Sequence, residues 1–243
     1  MKVNILAIGV HPDDIELSCS GTLLRHAALG HTFGLLDLTR GELGSRGTAE
    51  IRTREAYAAA EKLGAKFREN LDLPDGFITG DKQTQLKIIS AIRDCQPDIV
   101  LANALGDRHP DHGRSAEIVA NACYLSGLKR IETYNLEGEE QEEWRPRAIY
   151  HYIQDRNRQP DFVVDISPYV KQKFEAIACY ASQFNDHVNN EYATEVATPI
   201  SGKDFMDFLA AKGRYFGREA GYEYAEAFNV RRYPGVKDLL DLE

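Results

Sequence analysis

What most constrains this chain is its opening. Val3-Asn4-Ile5-Leu6-Ala7-Ile8-Gly9-Val10, an almost unbroken apolar run, passes directly into His11-Pro12-Asp13-Asp14. A run that stays apolar at successive positions suits a strand covered on both faces, which is the situation of a central parallel strand. The next hundred residues keep alternating. Gly21 to Gly30 sets Leu and Ala at helical spacing and stops on glycine, and His31 to Leu38 returns to strand character. Glu50 to Leu63 reads as a solvent-facing helix ending at Gly64. A short strand is expected near Lys66 to Leu71, an amphipathic helix over Thr84 to Cys95 before Pro97, and a buried strand at Ile99 to Ala102.

Strands alternating with helices are the mark of βαβ units with right-handed crossovers. The expected class is α/β: a Rossmann-like, doubly wound, mostly parallel sheet with helices on both faces. Beyond Leu128 the pattern is less regular. The acidic run Glu137 to Glu143 reads as a solvated loop, with strands expected at Ala148 to Ile153 and Phe162 to Ile166. A helix from about Tyr169 to Gln183, a mobile polar loop over about 182–201 and a final long helix from Lys203 to Glu219 complete the reading. With 243 residues, 43% of them apolar, and no repeat or linker, 1–243 reads as one domain.

A formal net charge of −9 argues against nucleic acid or an anionic membrane surface as a partner, since either demands a basic footprint. No stretch approaches the roughly eighteen apolar residues of a membrane span. The opening also lacks a small-residue cleavage site, so a cytoplasmic protein is expected. Cys19, Cys95, Cys123 and Cys179 form no Cys-x-x-Cys pair and read as buried free thiols.

A second polar cluster, His109-Pro110-Asp111-His112, lies beyond the expected strand at Ile99 to Ala102. In open α/β sheets ligands bind beyond the carboxyl ends of the strands, and both clusters fall there. Two distant segments thus have a reason to meet. A hydrolytic zinc ion wants three nitrogen or oxygen ligands and one open position, and His11, Asp14 and His112 supply that set. Asp13, adjacent but directed elsewhere, is the candidate general base. His109 is placed to donate to a developing oxyanion or a leaving group, with Asp111 orienting that imidazole or raising its pKa by its charge.

His11-Pro12-Asp13-Asp14 with Gly21-Thr22-Leu23, followed by His109-Pro110-Asp111-His112, resembles the zinc-dependent N-deacetylases of the LmbE/PIG-L family. The likeness extends to Asp37-Leu38-Thr39-Arg40-Gly41-Glu42-Leu43-Gly44, Arg52, Gly106-Asp107-Arg108 and Ser182-Gln183-Phe184, which resemble the branch acting in bacillithiol synthesis. Ser20 departs from the glycine that many relatives carry there. The resemblance implies release of acetate from an N-acetylglucosaminyl conjugate, with N-acetylglucosaminyl-malate the first candidate and free N-acetylglucosamine or chito-oligosaccharides the alternative. It implies zinc, with iron(II) an option in the cell, on His11, Asp14 and His112. Asp13 matches the base, His109 the oxyanion-stabilising acid and Asp111 its support. Arg52 and Arg108 match positions near substrate, where guanidinium forks suit a carboxylate or sugar hydroxyls. A small-molecule partner and a trimer or hexamer of this chain are also implied.

Three rivals remain from the residues alone. Two histidines and one carboxylate also describe the facial triad of non-haem iron(II) oxygenases, though Asp13 and His109 are then surplus. A dinucleotide-binding module fails at Gly9-Val10-His11-Pro12-Asp13-Asp14, where carboxylates stand in place of phosphate-binding glycines. A non-catalytic sugar-binding protein on the same scaffold predicts no response to a chelator.

Overall fold

A computed structural model describes residues 1–184, 192 and 194–241. Seven strands form one sheet: β1 (Ile5–Gly9), β2 (Phe33–Thr39), β3 (Arg68–Leu73), β4 (Ile99–Ala102), β5 (Ala148–Tyr152), β6 (Phe162–Asp165) and β7 (Ala225–Val230). Their order is β3-β2-β1-β4-β5-β7-β6. β1 to β5 run parallel, and β7 is antiparallel to both β5 and β6. Helices α1 (Asp14–Ser18), α2 (Ser20–Ala28), α3 (Ala49–Leu63), α4 (Lys82–Cys95), α5 (Pro110–Leu125), α6 (Val170–Ile177) and α7 (Lys203–Glu219) cover it.

Strand β1 shows why its sequence is apolar throughout. Leu6 and Ile8 pack into one core with Ile88 and Ile92 of α4 and Val119 of α5. Ile5 and Ala7 face the opposite core, with Leu23 of α2, Leu63 of α3 and Ala176 of α6. Successive side chains of a strand point to opposite faces, so a two-sided sheet needs apolar residues at every position. Each fully buried Leu or Ile contributes roughly 1.5–3 kcal/mol. Helix starts are set locally: Thr48 Oγ1 accepts from Ile51 N at 3.2 Å, and Asp81 Oδ1 accepts from Thr84 N at 2.9 Å. Losing either cap costs about 1 kcal/mol.

Three expectations change in detail. Helix α3 is not simply solvent-facing: Arg52, Ala56, Ala59, Ala60 and Leu63 are buried, because its alanines allow close packing against Ile177 and Tyr180. The helix expected from Tyr169 to Gln183 is shorter, a 3₁₀ turn over Ser167–Tyr169 followed by α6. Strand β7 has no counterpart among the expected strands, since Glu226 interrupts its apolar pattern, and it makes this part of the sheet antiparallel. Within the expected mobile loop, residues 185–191 and 193 lie outside the described residues. Its described part is fastened by the buried Arg46, which donates to the carbonyls of Ser182, Tyr192 and Val196 at 2.8, 3.0 and 3.0 Å.

Strand β1 lies between β2 and β4, and the chain leaves it on one side and returns on the other. That reversal opens a crevice at the carboxyl ends of β1 and β4. Both polar clusters sit at its rim. Among the described residues, no helix is long and apolar enough to cross a membrane.

Candidate metal and hydrolytic centre

Beyond β1 the chain turns sharply through Asp13, whose φ of 109° lies in the left-handed region. A residue with a Cβ held there costs on the order of 1–3 kcal/mol, so its surroundings must fix it. Arg52 does so from α3: Nη2 donates to Pro12 O at 2.6 Å and to Asp13 Oδ2 at 3.0 Å, while Nη1 donates to Gly41 O at 3.3 Å. Gly41 has φ +63°, and a Cβ there would collide with the Arg52 guanidinium. Asp13 and Asp14 consequently face different surroundings.

Asp14 Oδ2 accepts from the Val10 and His11 amides, each at 3.0 Å, and from Asn103 Nδ2 at 2.9 Å. Its Oδ1 accepts from Gln154 Nε2 at 2.9 Å and faces His112 Nε2 at 3.2 Å. His112 Nδ1 is 2.6 Å from Asp107 Oδ2. A carboxylate beside Nδ1 favours the tautomer protonated on that nitrogen, and then Nε2 presents a lone pair to another carboxylate oxygen. A proton on Nε2 or a metal ion bridges such a contact, and binding of a divalent ion displaces the proton. His11 repeats the arrangement in mirror form, with Nε2 at 3.0 Å from Asp75 Oδ1 and Nδ1 at 3.8 Å from Asp14 Oδ2. Donor atoms in a tetrahedral shell with bonds of about 2.0–2.2 Å stand a little over ~3 Å apart, so these separations fit an ion at Asp14.

The electrostatics show how strongly this pair draws a positive charge. Burial works against charge on His112, yet Asp14 and Asp107 outweigh it and push the imidazole up to about 10. Burial likewise works against the Asp14 carboxylate, but His112 and His11 hold it well below the usual range. Asp13 goes the other way, pushed up to about 7 by burial with Arg52 opposing.

His109 caps α5, its Nδ1 accepting from Asp111 N at 3.3 Å, which leaves Nε2 to carry the proton. Its ring meets that of His11 edge-on, with centroids 4.7 Å apart. The Asp111 carboxylate departs from expectation. It accepts from Gly76 N and Arg114 Nη1, both at 2.8 Å, and lies 3.8 Å from His11 Nε2; the backbone amide of Asp111, not its side chain, holds His109. Arg108 is half-exposed and paired with Asp155 Oδ2 at 2.5 Å. Arg52 commits both Nη atoms to the Asp13 turn.

His11, Asp13, Asp14, His109 and His112, with Arg52 and Arg108, line one cavity of about 410 Å³. Among the described residues, two donor groups have ligand atoms mutually within 4.8 Å: His11, His109 and His112, and separately His11, Asp75 and Asp111. Distances alone leave more than one donor set, and Asp14 faces both His11 and His112 at 3.8 and 3.2 Å. Sequence reasoning gives no role to Asp75, Asp107, Asn103 or Gln154. Asp107 carries a signal, five residues before His112, whereas Asp75 in Leu73-Pro74-Asp75-Gly76 looks like an ordinary turn residue.

Comparison with known proteins gives the chain's family. The family model described as "PIG-L: GlcNAc-PI de-N-acetylase" matches residues 6–123, which hold both clusters. The 4-oxalmesaconate hydratase of Pseudomonas putida is 30% identical over 79% of this chain and 77% of its own. Diacetylchitobiose deacetylase of Thermococcus kodakarensis is 27% identical over 96% and 84%. The "probable N-acetyl-alpha-D-glucosaminyl L-malate deacetylase 2" of Bacillus anthracis is 27% identical over 74% and 81%. Among solved structures, the conserved protein TT1542 of Thermus thermophilus superposes with a TM-score of 0.83 at 34% identity, covering 98% of both chains. The chain belongs to the PIG-L (LmbE) family.

Proposed function

We propose that this protein is a metal-dependent amide hydrolase that removes acetate from an N-acetylglucosaminyl conjugate, N-acetylglucosaminyl-malate being the first candidate. The observation that carries the reading is the Asp14–His112 contact, a carboxylate and an imidazole nitrogen held face to face in a cavity that also holds Asp13 and His109. His11, Asp14 and His112 would hold a divalent ion, zinc or iron(II), which would supply Lewis acidity and lower the pKa of the attacking water. Asp13 takes the proton of the attacking water, its orientation fixed by Arg52. His109, neutral with its proton on Nε2, hydrogen-bonds the acetamide oxygen as negative charge develops there, and Asp13 passes the proton it took from water to the departing amine. Asp107 and Asp75 hold the two imidazoles in the tautomers that leave His112 Nε2 and His11 Nδ1 free. Two of the relatives are named as deacetylases of N-acetylated sugars, which supports this substrate class.

Incubating the metal-loaded protein with N-acetylglucosaminyl-malate, diacetylchitobiose or free N-acetylglucosamine and measuring acetate tests the reading. Release that a chelator abolishes is the expected result. No release from any of the three removes it. A second reading, addition of water to a carbon–carbon double bond, rests on the likeness to the hydratase and on the same water-activating groups. Bleaching of the ultraviolet absorbance of 4-oxalmesaconate by the protein, with no acetate released from the sugars, would favour that reading.

A further inference from the structure

The cations around the cavity fall into two kinds. Three are neutralised within the protein: Arg52 by Asp13, Arg108 by Asp155, and Lys173 by Glu226 at 2.6 Å, with a further bond to Leu17 O at 2.7 Å. Lys212, on α7, is different. It lines the same cavity, and its Nζ is buried without a hydrogen-bond partner among the described residues. It sits by the rings of Phe208 and Phe216, whose centroids lie 5.7 and 5.9 Å away. Asp155, which lines the cavity too, has already given Oδ2 to Arg108. Asp107, which also attracts Lys212 at a distance, is engaged by His112 and by the Arg156 amide.

A buried ammonium without an acceptor is destabilising, and a chain retains one at a ligand cavity where a ligand completes it. Burial lowers the Lys212 pKa to about 8, with Asp107 and Asp155 opposing, so much of it still carries charge at neutral pH. Sugar hydroxyls would satisfy its donors but leave the charge; a carboxylate satisfies both. We infer that Lys212 anchors a carboxylate on the aglycone of the substrate, making the cavity select acidic conjugates over neutral ones. The inference rests on the proposed deacetylation, deepening it by naming the substrate's second recognised group. It also relieves Arg108 of that duty, since its guanidinium already has an acid partner.

The test compares the metal-loaded wild type with Lys212→Met, which keeps the length and apolar stem of the side chain. Acetate release is followed with N-acetylglucosaminyl-malate and with the neutral methyl N-acetylglucosaminide. Loss of a charge-assisted bond predicts a KM for the malate conjugate raised about 10- to 100-fold with kcat within about twofold, and neutral-substrate kinetics within about twofold. Lys212→Arg should recover part of the malate preference. Unchanged malate kinetics, or equal losses on both substrates, overturn the inference. Calorimetry with glucosaminyl-malate separates this from the parent reading, because it needs no turnover. If the wild type cleaves neither substrate the deacetylase assignment falls, and the anchor still stands or falls on whether Lys212→Met weakens this binding at least tenfold. Thermal melts read packing: the variant should melt at the wild-type temperature or a few degrees higher, about 2–4 °C per kcal/mol. A lowered melting temperature together with equal losses on both substrates would make Lys212 a packing residue and end the proposal.

Discussion

His112 and His151 are both buried imidazoles near the carboxyl edge of the sheet, yet their surroundings push them in opposite directions. His112 gives Nδ1 to Asp107 and turns Nε2 to Asp14, so the site favours a positive charge and the imidazole rises to about 10. His151, in β5, gives Nδ1 to Asn103 O at 2.8 Å and takes a bond from Arg231 Nε to its Nε2 at 3.1 Å. Burial first, and then the Arg231 charge, push it down to about 4, although the Asn103 carbonyl opposes this. Asn103 joins the two: its amide nitrogen supports Asp14 while its carbonyl fixes His151. Burial therefore does not identify a ligand histidine. What sets His112 apart is a ring nitrogen turned to a second carboxylate after its partner nitrogen has been committed to the first.

The largest expected separation comes from removing each imidazole. His112→Ala should lose bound metal and bring acetate release below detection, whereas His151→Gln should retain both, with metal content read by elemental analysis. Equal metal loss in the two variants would break the contrast. Next is Asp13→Asn, which preserves volume and the Arg52 contact; metal content should stay at the wild-type level while kcat falls about 10²- to 10⁴-fold. A nearly fully active variant would remove Asp13 from the base role. Asp107→Asn should weaken metal affinity by about 10- to 100-fold in competition with a chelator, since it frees the His112 tautomer without deleting a ligand.

The smallest effect concerns pH. His151 has a folded pKa near 4, below its unfolded value of about 6.5, so the unfolded chain binds the extra proton first. Its contribution to stability is complete above pH 6.5 or so and is lost as pH falls toward 4, amounting to at most about 3 kcal/mol. The melting-temperature advantage of wild type over His151→Gln should shrink across that window. A constant difference would mean that His151 does not titrate as its bonding implies.

How much of the molecule is readable in the chain depends on where each signal is stored. Strands β1 and β4 and helix α7 are legible because their side-chain periodicity records which faces are covered. Strand β7 is not, because Glu226 belongs to a long-range assembly: its carboxylate accepts from the Gly21 and Thr22 amides at 3.0 and 2.6 Å and pairs with Lys173. The same split runs through the site. His11, Asp13, Asp14, His109 and His112 are gathered by two short motifs at strand ends, so spacing brings them forward. Asp75, Asn103, Gln154 and Lys212 acquire their meaning only from what folding places beside them. The expected Asp111–His109 carboxylate contact fails for a local reason: the first turn of α5 offers His109 the Asp111 amide, while the carboxylate turns to Gly76 and Arg114.

The most direct measurement is a crystal structure of the metal-loaded protein with anomalous data on either side of the zinc and iron edges. The account predicts a single strong peak within about 2.0–2.3 Å of His11 Nδ1, Asp14 and His112 Nε2, with Asp13 and His109 unligated beside it. A peak seated instead among His11, Asp75 and Asp111, or one bonded to His109 and distant from Asp14, would contradict it.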